Sequence, residues 1–191
     1  MNKLILLSVA MLGAFAHPSS AATISFTAPA TVSGAFDLTV QAQDVFAGRD
    51  LSTDIAISFG FDVGVSDPSI LSFLGATSGP LFDAATSEPG TDVFAAAFGQ
   101  HGFGIEPGAS EPVLLATLHF KAHGSGPATI VISSDLSNLF QGLQFFDAPF
   151  QDSIDGRVAV SAVSSTPVPE PATLLLSAIG LIGIASRRAA R

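Results

Sequence analysis

The chain has 191 residues, 48% of them hydrophobic, with a formal net charge of −9 and no cysteine. That length fits one domain with targeting segments at its ends, and the missing thiols exclude disulfides, cysteine nucleophiles, cysteine-based zinc sites and iron–sulfur clusters. Between Ala22 and Ser165 three basic residues, Arg49, Lys121 and Arg157, stand against fifteen Asp and Glu, a net −12, so the surface repels phosphate backbones and nucleic acid is disfavoured as a partner.

Residues 1–22, MNKLILLSVAMLGAFAHPSSAA, combine Lys3, an apolar run from Leu4 to Ala16 and small residues before Thr23. This is the make-up of a secretory signal peptide. Ser19 with Ala21, or Ser20 with Ala22, satisfies the small-x-small rule for its removal. The run is short for a membrane anchor and ends at Pro18, which favours export over retention.

From 23 to 163 the apolar period is two. In AFDLTVQA, Phe36, Leu38, Val40 and Ala42 alternate with Asp37, Thr39 and Gln41; in DIAISFGFD, Ile55, Ile57, Phe59 and Phe61 alternate with Ala56, Ser58 and Gly60. In VLLATLHFKA, Leu114, Ala116, Leu118 and Phe120 take the parity opposite to Thr117, His119 and Lys121. Each reads as a half-buried strand with one face in a core. ATISFT, SILSFLGA, TDVFAAAF, ATIVISS and GRVAVSAV are further strands, separated by SDPS, SEPGTD, EPGASEP and GSGP turns. Some eight short, mostly antiparallel strands predict a two-sheet β-sandwich. Fifteen Phe after the signal peptide, with no Tyr or Trp, suit its dry core.

Residues 164–171 form a Ser/Pro-rich linker ending in Pro-Glu-Pro, extended where proline dominates. An apolar segment, 172–186, follows. Its uncharged run Ala172 to Ala185 would be roughly 21 Å long as a helix, below the roughly 30 Å hydrocarbon core. Arg187, Arg188 and Arg191 in the basic tail 187–191 form a positive stop that keeps this end cytoplasmic. The segment thus reads as a transmembrane sorting helix, used once and removed, with a plain C-terminal anchor as the alternative.

Candidate chemistry in the domain is sparse. Of the histidines outside the signal peptide, His101, His119 and His123, the last two lie four apart. Along a continuing strand they would be roughly 13 Å apart and share the outward face with Lys121, too far to chelate one metal. No Gly-x-Ser-x-Gly nucleophile motif occurs. A Ser-His-Asp triad or a carboxylate pair could assemble only from distant residues. Phe103, Phe145, Phe146 and Phe150 lie in loop-like sequence and are expected to close the ends of the sandwich. No cofactor is predicted. Calcium is the alternative, through Asp147, Asp152 and Asp155 or through Asp44, Asp50 and Asp54, although neither set has EF-hand spacing and solvated loop carboxylates are the default.

Two stretches resemble known families. Val168, Pro169, Glu170 and Pro171, with Ala172, the apolar run and the terminal arginines, resemble the PEP-CTERM sorting signal of Gram-negative bacteria. The likeness spans Pro167 to Arg191. It implies recognition by an exosortase, a membrane-embedded cysteine transpeptidase-like enzyme that cleaves near the motif. It also implies transient residence in the inner membrane, a final place at the cell surface or outside it, and association with exopolysaccharide-producing, biofilm- or floc-forming cells. The protein is then a substrate, and Pro169, Glu170 and Pro171 are recognition residues. FDLTVQAQDV from Phe36, IAISFGFDVGVSDPSILSFLGATSGPLF and VLLATLHFKAHGSGPATIVIS resemble a cohesin-like domain. That likeness implies an all-β, cohesin-like jelly-roll β-sandwich of nine strands in two antiparallel sheets, a fold shared with some carbohydrate-binding modules. Cellulosomal cohesins bind dockerins, but no residue pattern here marks a dockerin face. The expectation is an exported, non-enzymatic surface or extracellular-matrix protein, with exopolysaccharide or an envelope protein as partner. A carbohydrate- or protein-binding module is the alternative, and a secreted hydrolase the third reading.

Overall fold

A computed structural model describes residues 21–87, 92–97 and 104–163, and every regular element among them is a β-strand. The smaller sheet contains β1 (Thr23–Thr27), β3 (Gly34–Gln43), β5 (Leu71–Ser78) and β8 (Val113–Ala122), in the order β1-β3-β8-β5. The larger contains β2 (Thr31–Val32), β4 (Ala56–Val65), β9 (Gly126–Ser133), β10 (Gly142–Phe145), β11 (Gln151–Asp152) and β12 (Gly156–Ala162), in the order β11-β10-β4-β9-β12-β2. On the other edge of β4 lies β7 (Asp92–Ala96), which carries β6 (Thr86–Ser87). Every pairing is antiparallel except β2 with β12, so the larger sheet is mixed where two antiparallel sheets were expected. Three of the twelve strands among the described residues, β2, β6 and β11, have two residues each and leave no period in the sequence, and nine longer ones remain.

The inner faces follow the period-two pattern. Leu38, Val40 and Ala42 from β3 meet Phe59, Phe61 and Val63 from β4, with Leu118 and Phe120 from β8 and Ile130 and Ile132 from β9, in one core. Phe82 sits edge-on to Phe59 at 4.7 Å between ring centroids, and Phe73 and Phe36 flank Phe120 at 5.4 and 5.5 Å. These offset and edge contacts are the geometry that phenylalanine rings prefer.

Two strands depart from the expected alternation. On β8 the register slips between Val40 and Gln41 of its partner, which pair with Ala116 and Leu114. The bulge turns Leu115 inward as well as Ala116, and leaves Leu114 half-exposed where it was expected inside. On β4 the strand begins at Ala56, and from Ser58 to Phe61 every residue is buried. Ile55 and Ile57, expected to face the core, are half-exposed, while Ala56 and Ser58 are buried. The outer face of β4 is covered by residues 134–141, which come so close that a Cβ on Gly60 would stand 1.9 Å from the Phe140 carbonyl oxygen.

Among the described residues no helix is long and apolar enough to cross a membrane. Residues 1–20 of the segment 1–22 expected to be a signal peptide, the linker from 164 and the segment 172–186 lie outside the described residues.

Candidate binding surface

β10 pairs with β4 over Ala56–Gly60 and β9 pairs with it over Asp62–Val65, both on the edge opposite β7. The chain between them must leave the sheet and return, and it does so across the outer face of β4. Asp135 accepts from the amide of Ser137 at 2.9 Å and from its hydroxyl at 2.7 Å, which turns the chain. Three glutamines then hold the loop from the strands. Gln141 Nε2 donates to Asp62 at 2.7 Å, and Gln141 Oε1 accepts from the Asp135 amide at 2.5 Å. Gln144, itself receiving the Ser58 hydroxyl, donates to the Leu139 carbonyl. Gln151 Nε2 donates to the carbonyls of Asn138 and Gln141 at 3.0 and 3.1 Å. Asp155 accepts from the Ser134 amide at 2.9 Å and fixes the base.

This loop is ordered by polar bonds yet displays apolar side chains: Leu136, Leu139 and Phe140 are 45%, 78% and 65% exposed. Burying a Leu or Phe is worth about 1.5–3 kcal/mol, so three of them held out by a built scaffold form a surface that a partner can cover. Phe140 lies edge-on to Phe94 at 5.8 Å, on one side of a cleft of about 340 Å³ lined by Phe61, Thr86, Val93, Phe94, Asn138 and Gln141. On the neighbouring loop Phe146 and Phe150 are also largely exposed, contrary to the expectation that they close the sandwich; Phe145 alone of the three is buried. Phe103 lies outside the described residues.

Beneath that second loop sits Arg49, nearly buried. Its Nη1 meets Asp54 Oδ2 at 2.9 Å and the Pro149 carbonyl at 2.9 Å, and its Nη2 meets Asp152 Oδ1 at 3.2 Å. The guanidinium carbon lies 3.2 Å above the centre of the Phe145 ring. Asp54 also accepts from the Asp147 amide at 3.0 Å, and Asp147 accepts from the Thr53 hydroxyl at 2.6 Å. Of the acidic residues singled out for calcium, Asp54 and Asp152 are therefore brought together on a guanidinium, with the Asp147 backbone beside Asp54 and the Asp147 carboxylate on Thr53. Asp44, Asp50 and Asp155 are elsewhere: Asp44 and Val45 give their amides to the Glu111 carboxylate at 2.8 and 3.0 Å, and Asp50 closes a turn with Ser52. Among the described residues no group of three or more His, Cys, Asp or Glu is arranged to hold a metal ion.

On the outer face of the smaller sheet, Asp37 on β3 and His119 on β8 are directly paired in register. His119 Nδ1 donates to Asp37 at 2.8 Å, and in the neutral ring Nε2 accepts from the Thr77 hydroxyl at 2.9 Å. The order hydroxyl–imidazole–carboxylate matches a catalytic triad, and Thr77 and Asp37 carried no sequence signal for it. The chain of bonds lies on an exposed sheet face. The cleft beside Phe94, and two others lined by Leu81 with residues 104–109 and by Asp44, Phe46, Leu51 and Glu111, include none of the three residues. His123 follows the end of β8 and donates to the Pro68 carbonyl at 3.0 Å, and Lys121 is exposed on the His119 side. His101 lies outside the described residues.

Val168, Pro169, Glu170, Pro171, Arg187, Arg188 and Arg191 also lie outside them, but their sequence is matched. Residues 167–189 match the family described as the PEP-CTERM protein-sorting motif. Among solved structures, the chain is similar to a cohesin module from a Clostridium perfringens family 33 glycoside hydrolase. The two are 12% identical, the match covers 77% of this chain and 100% of that one, and the TM-score is 0.56. A type II cohesin domain from the Acetivibrio cellulolyticus cellulosome matches at 14% identity over 75% of this chain and 92% of its own, with TM-score 0.45. This is a cohesin-like sandwich that carries a PEP-CTERM sorting motif. No curated protein matches the chain by sequence. In the cohesin-like sandwich the described chain ends at Val163, just past β12, four residues before the sorting motif begins.

Proposed function

We propose that the chain is an exported, non-enzymatic surface or extracellular-matrix protein, delivered as an exosortase substrate and associated with exopolysaccharide or biofilm. The observation that carries this reading is the sorting motif at 167–189, set directly behind a folded sandwich. In this reading the export signal takes the chain across the inner membrane and the apolar segment 172–186 holds it there. The exosortase recognises Val168 to Pro171 and releases the sandwich to the outer side. Following the C-terminus in the native host, with and without exosortase, tests it. Loss of the terminal arginines only in the strain with the enzyme supports sorting; arginines retained in both strains leave a plain anchor.

A second reading, a glycan- or protein-binding module, is supported by the exposed Leu136, Leu139 and Phe140 on a loop fixed by three glutamines. Saturable binding to the host's exopolysaccharide or to an envelope protein, lost at least tenfold in a Leu139→Ala, Phe140→Ala variant of unchanged melting temperature, favours the module. Binding that the variant retains removes the loop from the interface. The Asp37–His119–Thr77 chain is read as a cross-strand polar ladder, because a nucleophile on a flat exposed face lacks the preorganised donors that stabilise an oxyanion.

A further inference from the structure

We infer that the export signal is cut between Ala21 and Ala22, and that the α-ammonium group freed on Ala22 joins the Arg49 ion cluster as its second positive charge. This rests on reading residues 1–22 as an export signal. One guanidinium serves two carboxylates, and the side chains of Arg49, Asp54 and Asp152 are only 4%, 1% and 9% exposed. Two negative charges against one positive, nearly out of water, is an unbalanced arrangement, and a buried ion without a full set of partners is costly.

The missing partner is already in place. Asp152 uses Oδ1 for Arg49, and its other oxygen, Oδ2, accepts from the backbone nitrogen of Ala22 at 3.3 Å. In the uncut chain that nitrogen is a neutral amide with a single, planar N–H. Hydrolysis of the Ala21–Ala22 bond adds the hydroxyl of water to the Ala21 carbonyl carbon and leaves the nitrogen as an amine. The amine is protonated at neutral pH, because α-amino groups titrate at about 7.7–8.0. The product has three N–H donors that rotate into line and a charge that brings the cluster to two against two. Charge-assisted bonds of this kind are about twice as strong as neutral ones.

The two cuts that the small-x-small rule allows are not equivalent in this fold. Ala21 is exposed, whereas Ala22 is half-buried and packs against the core, so the boundary between leader and domain falls between them. A cut after Ala22 would discard the nitrogen that meets Asp152 and leave Thr23, the first residue of β1 paired with Gln43, as the terminus.

Two measurements decide. The first is N-terminal sequencing with intact mass of the protein exported by its host. A start at Ala22 is expected, and a start at Thr23 overturns the inference while leaving the export signal intact. A protein that keeps Met1 overturns both. The second measurement compares chains ending at Val163 and beginning at Ala22 or Ala21, each with and without Asp152→Asn, produced by a tag removed without residue. Beginning at Ala21 should lower the melting temperature by about 2–4 °C when Asp152 is present and leave it unchanged in the Asp152→Asn pair. Equal shifts in both pairs overturn the ion pair even if the cut is where expected.

Discussion

Arg49 shows how one side chain organises two acidic segments that were each read as a loop of solvated carboxylates. Its guanidinium lies between Asp54 and Asp152 and on the face of Phe145, so the segment 49–54 and the distant β10–β11 pair close on it. Nothing in the spacing reveals this, because Arg49 and Asp152 share no period and meet only when β11 pairs with β10. Arg49→Ala takes the guanidinium away from two buried carboxylates, a change that costs about 3–5 kcal/mol. The expected drop in melting temperature is about 10–20 °C. Arg49→Lys should recover only part of it, since one ammonium cannot span both carboxylates in a fork. The exposed carboxylates behave differently. Asp50, Asp67 and Asp135 each accept the hydroxyl and then the amide of a serine two residues on, and these bonds hold all three below the ordinary carboxylate range. A carboxyl whose folded value is depressed favours the native state above its unfolded value and loses that contribution as pH falls through the folded one. Ser137→Ala removes the larger of the two bonds at Asp135. Its carboxyl should titrate closer to the ordinary value of about 3.9, as followed by NMR of the side chain through acid titration, with Asp50 and Asp67 unmoved.

At the scale of elements, the strands were legible where one face meets the core and the other meets water, as in β3. They were misread where that condition fails. β4 is covered on both faces, so its outer residues are small or polar but buried: Ala56, Ser58 and Gly60, the last directly beneath the Phe140 carbonyl. In the sequence these are the same residue types that a solvent face would carry. β8 was shifted by a bulge, which moves one residue across the sheet without any change in composition. The loop over β4 went unread because its order comes from Gln141, Gln144 and Gln151, whose side chains bond to backbone groups that sequence does not place. Gly60 is where this covering can be tested. Its strand geometry suits any residue, but the Phe140 carbonyl leaves no room for a methyl group. Gly60→Ala should cost about 1–3 kcal/mol through overpacking. It should also loosen the amides of residues 134–141 in hydrogen exchange, with those of β3 and β8 unaffected. Unchanged exchange in the loop would mean that it is held by its glutamines alone.

Across the whole molecule, fold and destination are divided along the chain. The sandwich closes on itself before the sorting motif starts: β12 pairs with β9 over seven residues, Ser161 gives its amide to Ala30 at 2.8 Å, and Val163 gives its amide to Val32 at 2.9 Å. These are the final bonds of the described chain, and they fasten its end between β2 and β9. A domain of about 140 residues buries enough surface to fold without disulfides, and the apolar residues of both sheets already form one core. Residues 164–191 therefore should add nothing to its stability. A chain ending at Val163 is expected to melt within about 1 °C of the same chain extended to Pro171, whereas ending at Ser161 removes the Val163 bond and the last β12 pair and should lower the midpoint by several degrees. The contrast has a functional side. If the shorter chain remains folded but is no longer delivered to the cell surface in the native host, destination and fold are encoded in separate segments. If removal of 164–191 lowers the melting temperature, the sorting segment is part of the fold, and its cleavage would have to be accompanied by a loss of stability.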